Sequence, residues 1–139
     1  MAGYSAAALP KKLGIKEGSC CMVIGEPPEF RAALGDLPAG ATVETAICEG
    51  VDVGIFFTPW RAELEAVLNQ LSDAVFPAGG LWIAWPKKAA RMPTDLTEGV
   101  LREIILPTGL VDNKVCAIDD RWSGLRFVWR KELRGETRS

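Results

Sequence analysis

Apolar positions along the chain follow two rhythms. Short continuous apolar runs bounded by glycine or proline suit strands covered on both faces. Residues 21–24 (Cys-Met-Val-Ile) form one such run, ending at Gly25. Residues 51–58 (Val-Asp-Val-Gly-Ile-Phe-Phe-Thr) form another, and 81–85 (Leu-Trp-Ile-Ala-Trp) a third, stopped by Pro86. Residues 41–47 predict a further strand. Between these runs the period lengthens. Pro27-Pro28 leads into a short helix from Glu29 to about Asp36, broken by Pro38 and Gly40. Thr58-Pro59 opens a longer helix, with threonine as its cap. There Leu64, Val67, Leu68, Leu71 and Val75 lie three and four apart, one stripe facing a sheet. Pro77 and Gly79-Gly80 end it. In Thr94-Asp95-Leu-Thr-Glu98, Asp95 and Glu98 fit a capping box. The helix that follows turns Leu96, Val100, Leu101, Ile104 and Ile105 inward, and Pro107 and Gly109 close it. Residues 114–118 and 125–130 predict a hairpin with a longer loop over 119–124. Residues 1–19 read as an irregular or helical lead-in, and 134–139 as a frayed polar tail.

Strands alternating with helices specify an α/β domain, a Rossmann-like three-layer sandwich over residues 1–133. The sheet is expected to be mostly parallel, with a C-terminal antiparallel hairpin. The step from Ile47 to Val51 is too short for the usual parallel crossover of about a dozen residues. Either the strand at 41–47 is antiparallel or its crossover has been pruned.

Charge and residue types narrow the chemistry. The 139 residues carry 16 Lys and Arg against 18 Asp and Glu, a net charge of −2. That balance disfavours a nucleic-acid partner, whose binding rests on phosphate neutralisation. The chain has no histidine, so acid–base work falls to Asp, Glu, Lys, Tyr4 or Cys. Its four cysteines show neither a C-x-x-C pair nor zinc spacing. They read as reduced, mostly buried thiols, and no metal ligand set is expected. No apolar run approaches the roughly 18–20 residues of a membrane helix. The apolar residues near the N-terminus precede Lys11-Lys12, the reverse of a secretory signal. The expectation is a soluble cytoplasmic protein.

The pattern Leu-Gly-Ile-Lys-x-Gly-x-x-x-Met-Val-Ile-Gly from Leu13 to Gly25 resembles the approach to the first strand of class I, S-adenosylmethionine-dependent methyltransferases. The closing hairpin resembles theirs too. Three further stretches resemble a small bacterial family known as a domain of unknown function. They are Trp82-Ile-Ala-Trp-Pro-Lys-Lys88, Thr94-Asp-Leu-Thr-Glu98, and Gly109-Leu-Val-Asp-Asn-Lys-Val-Cys-Ala-Ile-Asp119 running on into Trp122-Ser-Gly-Leu125. The resemblance implies a truncated methyltransferase-like Rossmann fold and brings no activity with it. It makes S-adenosylmethionine the candidate cofactor, but the glycine-rich turn that receives it is degenerate here. That turn is Gly25-Glu26-Pro27-Pro28, and its prolines remove backbone donors and fix φ. Glu49 stands in for the acidic residue that holds the ribose after the second strand. Thr58-Pro59-Trp60 resembles the Asn-Pro-Pro-aromatic turn of amino-group methyltransferases, without its amide.

Ligands of open α/β sheets bind beyond the carboxyl ends of the strands. Those ends are Gly25-Glu26, Thr58 to Trp60, Trp85 to Lys88, and Asp119-Asp120. Lys87, Lys88 and Arg91 precede the helix start at Asp95, an arrangement suited to a small anion or nucleotide; solvated loop charge is the plainer alternative. Trp82 and Trp85, three apart, face opposite sides of their strand. Trp122, beside Ser123, either offers a stacking surface or anchors the hairpin. Asn113, Lys114 and the Asp119-Asp120 pair form polar clusters around the penultimate strand. Leu125, Phe127 and Trp129 alternate with Arg126, Val128 and Arg130, a buried face against a basic outer one. The candidate ligand set is therefore Gly25, Glu26, Thr58, Trp85, Lys87, Lys88, Arg91, Asp95, Asn113, Lys114, Trp122 and Ser123. The leading functional expectation is a methyltransferase-like domain without methyltransferase activity that regulates, binds a protein partner or self-associates. The alternative is a small-molecule or nucleotide-binding protein, including a transferase, with its anion site at Lys87-Lys88.

Overall fold

The computed structural model describes residues 8–135, so Tyr4 and most of the polar tail lie outside the described residues. Six strands form one sheet in the order β2-β1-β3-β4-β6-β5. These are β1 (Cys20–Ile24), β2 (Thr42–Glu44), β3 (Val53–Phe57), β4 (Gly80–Pro86), β5 (Leu110–Ala117) and β6 (Trp122–Trp129). β1 to β4 run parallel, while β6 pairs antiparallel with both β4 and β5. The expected three-layer α/β architecture is present.

Each face of the sheet carries its own helices. α1 (Leu9–Leu13) and α2 (Phe30–Leu34) cover one face, where Leu13, Phe30 and Leu34 pack on Val23, Ile55, Phe57 and Trp82. α3 (Arg61–Val75) and α4 (Glu98–Ile105) cover the other, where Leu64, Leu71, Leu101 and Ile105 meet Met22, Phe56, Leu81, Ile83 and Phe127. Trp82 lies in the first layer and Trp85 in the second, as their spacing requires. The Trp82 indole N–H donates to the Leu13 carbonyl at 3.0 Å and ties the end of α1 to the sheet. The Trp129 indole does the same for α3, donating to the Ser72 carbonyl at 3.0 Å.

Of the two readings for residues 41–47, the pruned crossover is correct. The strand is parallel, and only Thr42–Glu44 pairs with β1. With three residues in the strand, the return path is short enough for 45–52 to reach the start of β3 without a helix. Ile47 and Cys48 pack along the way against the layer of α3 and α4.

Local chemistry corrects three other expectations. α3 begins at Arg61, and Thr58 does not cap it. The Thr58 side chain is buried and accepts the Trp60 N–H at 3.0 Å in a local turn. No capping box forms at α4: its cap is Thr97, which accepts the Val100 N–H at 3.1 Å, and Leu96 lies ahead of the helix. The hairpin loop is also tighter than expected. β5 and β6 extend to Ala117 and Trp122, and the Asp119 carboxylate closes the turn by accepting the Arg121 and Trp122 N–H groups at 2.8 and 2.9 Å. This is an Asx turn, in which the side chain replaces a backbone acceptor. Asp119 is thereby spent on the turn.

Candidate functional site

β4 ends at Pro86, and the chain then rises through a 3₁₀ turn at Lys88–Ala90 before descending to α4. Between this excursion, the carboxyl end of β4 and the first turn of α4 lies an open cleft of about 690 Å³. Trp85, Pro86, Met92 and Leu96 supply its apolar wall. Lys87, Lys88, Thr97, Glu98, Gly99 and Ser123 supply polar groups. Its position is the one at which open α/β sheets take ligands.

The excursion is held by the turn between β3 and α3. The Pro59 carbonyl accepts the Thr94 hydroxyl at 2.6 Å and the Asp95 N–H at 3.2 Å. Asp95 in turn accepts the Arg61 N–H at 2.7 Å, so it caps α3 rather than α4. Lys87 is fixed by its N–H, which donates to the Arg121 carbonyl at 2.8 Å across to the hairpin turn. At the start of α4, Thr97 takes the Val100 N–H. The N–H groups of Glu98 and Gly99, both residues of the cleft, belong to the helix end that favours negative charge. The Glu98 carboxylate is drawn toward Arg102, at 3.1 Å.

The sequence-derived set divides into groups. Trp85, Lys87, Lys88 and Ser123 converge on the cleft. Thr58 and Asp95 do not line it: Thr58 is buried in the turn after β3, and Asp95 ties the excursion to the start of α3. Arg91, in the left-handed region at φ 54°, is exposed and does not line it. Trp122 is buried, with its ring edge-on to Phe57 at 5.3 Å; it anchors the hairpin and offers no stacking surface. Asn113 and Lys114 lie elsewhere, on the face of α1, where the Lys114 ammonium donates to the Lys12 carbonyl at 2.9 Å. The sequence-derived set lacks the other residues of the cleft: Pro86, Met92, Thr94, Leu96, Thr97, Glu98 and Gly99. The capping-box pattern starts α4 too early and so puts Thr97, its actual cap, inside the helix.

Gly25 and Glu26 form a separate feature at the end of β1. Gly25 has φ +74°, and a Cβ there would stand 2.7 Å from the Phe57 carbonyl oxygen. Glu26 is engaged by Arg31, with two nitrogen–oxygen contacts of 2.8 and 3.0 Å. Phe30 packs edge-on to Phe57 at 4.9 Å, and Phe57 meets Trp122 in turn. The carboxyl ends of β1 and β3 are thus drawn together over a row of three aromatic rings.

Among the described residues, no group of acidic, cysteine or histidine side chains could hold a metal ion, and no helix is long and apolar enough to cross a membrane. The cysteines are free thiols: Cys21 is buried, and Cys20, Cys48 and Cys116 are half-buried.

No family model and no curated protein matches the sequence. Solved structures do. An S-adenosylmethionine-dependent methyltransferase from Aquifex aeolicus aligns over 84% of this chain and 85% of its own, with 15% identity and a TM-score of 0.55. A fibrillarin pre-rRNA processing protein from Methanococcus jannaschii covers 96% of this chain and 72% of its own, at 14% identity and TM-score 0.52. The precorrin 8w decarboxylase of Methanobacterium thermoautotrophicum covers 86% of both chains, at 11% identity and TM-score 0.50. The fold is methyltransferase-like. At these identities the likeness concerns the fold alone, and function must come from the site.

In a methyltransferase-like fold the turn after β1 is where the cofactor implied by the resemblance would be received. The residues present do not fit it. Close backbone approach needs glycines and free N–H groups, whereas Pro27 and Pro28 carry no donor. The one glycine, Gly25, serves the contact with β3. Glu26 is already paired with Arg31.

Proposed function

We propose that this domain binds a small amphipathic anion in the cleft beyond β4 and does not transfer methyl groups. The observation that carries the reading is the convergence of Lys87, Lys88 and the opening turn of α4 on a cleft whose far wall is Trp85, Met92 and Leu96. Cations and a helix N-terminus favour a phosphate or carboxylate. An apolar wall beside them suits a ligand with a planar or hydrocarbon body. Lys87, Lys88 and Met92 lie on the excursion 87–97, which hydrogen bonds to Pro59, Arg61 and Arg121 and the buried side chain of Leu96 hold to the sheet. Ligand binding there would tighten the excursion, and that is how such a domain would regulate a partner. The donor-poor turn at Gly25 supports the absence of methyl transfer.

The test is titration with ATP as the anionic probe. Joint substitution of Lys87→Ala and Lys88→Ala is expected to weaken binding at least about tenfold, the loss of one or two charge-assisted contacts. Equal affinity in the double variant would remove the cleft from consideration.

A further inference from the structure

A second site lies at the opposite, amino-terminal edge of the sheet, and it does not rest on the reading of the β4 cleft. Its centre is Arg126 on β6. The alternation in this strand predicts an outward, solvated arginine, but α1 covers that face. Arg126 pairs across the sheet with Trp82, on the face that Trp82 shares with α1. Its guanidinium lies over Gly80, where a Cβ would stand 2.5 Å from both Nε and Nη2. Glycine at that position is what lets the side chain lie flat on the strand. Half-buried there, Arg126 forms no ion pair or side-chain hydrogen bond among the described residues. Burial alone pulls its guanidinium below the ordinary value, with no carboxylate to hold it up. Half-buried where two open clefts meet, the guanidinium keeps its donors available to a ligand.

Two clefts meet at this side chain, sharing Arg126 and Gly14. The smaller, about 180 Å³, adds Lys12, Asn113 and Lys114, so it holds three cations and no carboxylate. The ammonium of Lys114 is steadied by the Lys12 carbonyl at 2.9 Å. The larger, about 320 Å³, is mixed: Lys16 and Arg126 stand beside Glu17, Ser19 and Asp52, so it offers the carboxylates that the smaller lacks. Asp52 is rigid: its N–H and one carboxylate oxygen bond Cys20 at 2.8 Å each, and its carbonyl accepts the Gly80 N–H at 2.9 Å.

We propose that this edge binds a phosphate monoester of a small hydroxylated molecule. The phosphate sits between Arg126, Lys12 and Lys114, and the hydroxyl groups donate to the acceptors of the larger cleft. Guanidinium and ammonium groups around a compact cleft match a dianion, and a guanidinium fork matches its paired oxygens. The carboxylates next door would repel a second phosphate and accept from hydroxyls, which selects a monoester over a polyphosphate.

The experiment is calorimetric titration of the intact protein with glycerol 3-phosphate, inorganic phosphate and glycerol, at constant ionic strength set by sodium chloride. Glycerol 3-phosphate is expected to bind more tightly than phosphate, and glycerol alone not measurably. Arg126→Met, which keeps the length of the stem, should weaken glycerol 3-phosphate at least about tenfold. Lys12→Ala, at a half-buried position of α1 outside the apolar core, should weaken it less and keeps the test open should Arg126→Met not fold. The Lys87→Ala, Lys88→Ala double variant should bind as the parent does. Failure of both phosphates to bind overturns the proposal. So does binding that Lys12→Ala leaves unchanged, or binding that disappears with Lys87 and Lys88 instead.

Discussion

Asp95 caps a helix that is not its own: its carboxylate accepts the Arg61 N–H at 2.7 Å from 34 residues further along the chain. One side chain therefore satisfies the start of α3 and pins the excursion that walls the β4 cleft. Asp95→Ala is expected to lower stability by about 1 kcal/mol, the usual value of a cap. It should also weaken ligand binding in the cleft, because the wall loses its tie. Asp95→Asn keeps an acceptor and should recover most of both. Urea denaturation and ATP titration of the two variants check this; equal behaviour of Ala and Asn would contradict the capping role.

Gly25 separates two costs that are often merged. A substituent there meets a positive φ and the Phe57 carbonyl oxygen at 2.7 Å. Gly50 has a similar φ of +71° with nothing within 4 Å of its Cβ. Gly50→Ala should cost about 1 kcal/mol for conformation alone. Gly25→Ala should cost at least about 2 kcal/mol more, since β1 and β3 must part to admit the methyl group. Denaturation midpoints of the two variants give the comparison directly.

Alkaline stability should report on Cys21. Burial pushes this thiol up to about 11 from an ordinary 9.0, with Cys20 and Asp52 adding to the effect. The folded state thus favours the neutral thiol. Its contribution is fully present below about pH 9, the unfolded value, and is lost as pH rises toward 11. The parent should lose at most about 2–3 kcal/mol over that window relative to Cys21→Ala. Parallel pH–stability curves for the two proteins would show that the thiol is not held neutral by burial.

Much of the fold was legible because the apolar runs and their breakers are local signals. The strand at 51–58 and the stripe on α3 needed no tertiary information. The strand at 41–47 was overextended because its residues suit a strand, while the length that pairs is limited by the return path to β3. Asp95 was misread for a related reason: Asp-x-x-Glu is a local pattern, and the carboxylate instead found an N–H distant in sequence. Lys87, Lys88, Trp85 and Ser123 could be placed together because strand ends in an α/β sheet share an edge. Asn113 and Lys114 could not, since β5 carries them below that edge and onto the face of α1. Arg126 was hidden by its alternation with apolar residues, which says that one face is buried and is silent on what covers the other.

The central claim is that the cleft beyond β4, not the turn at Gly25, is where this methyltransferase-like fold meets a ligand. Its most direct test is calorimetric titration with S-adenosylmethionine, S-adenosylhomocysteine and ATP, using the parent and the Lys87→Ala, Lys88→Ala double variant. The account predicts that ATP binds, that the double variant loses at least about tenfold in affinity, and that neither adenosyl compound binds. Micromolar binding of S-adenosylmethionine or S-adenosylhomocysteine, or silence from all three, would contradict it.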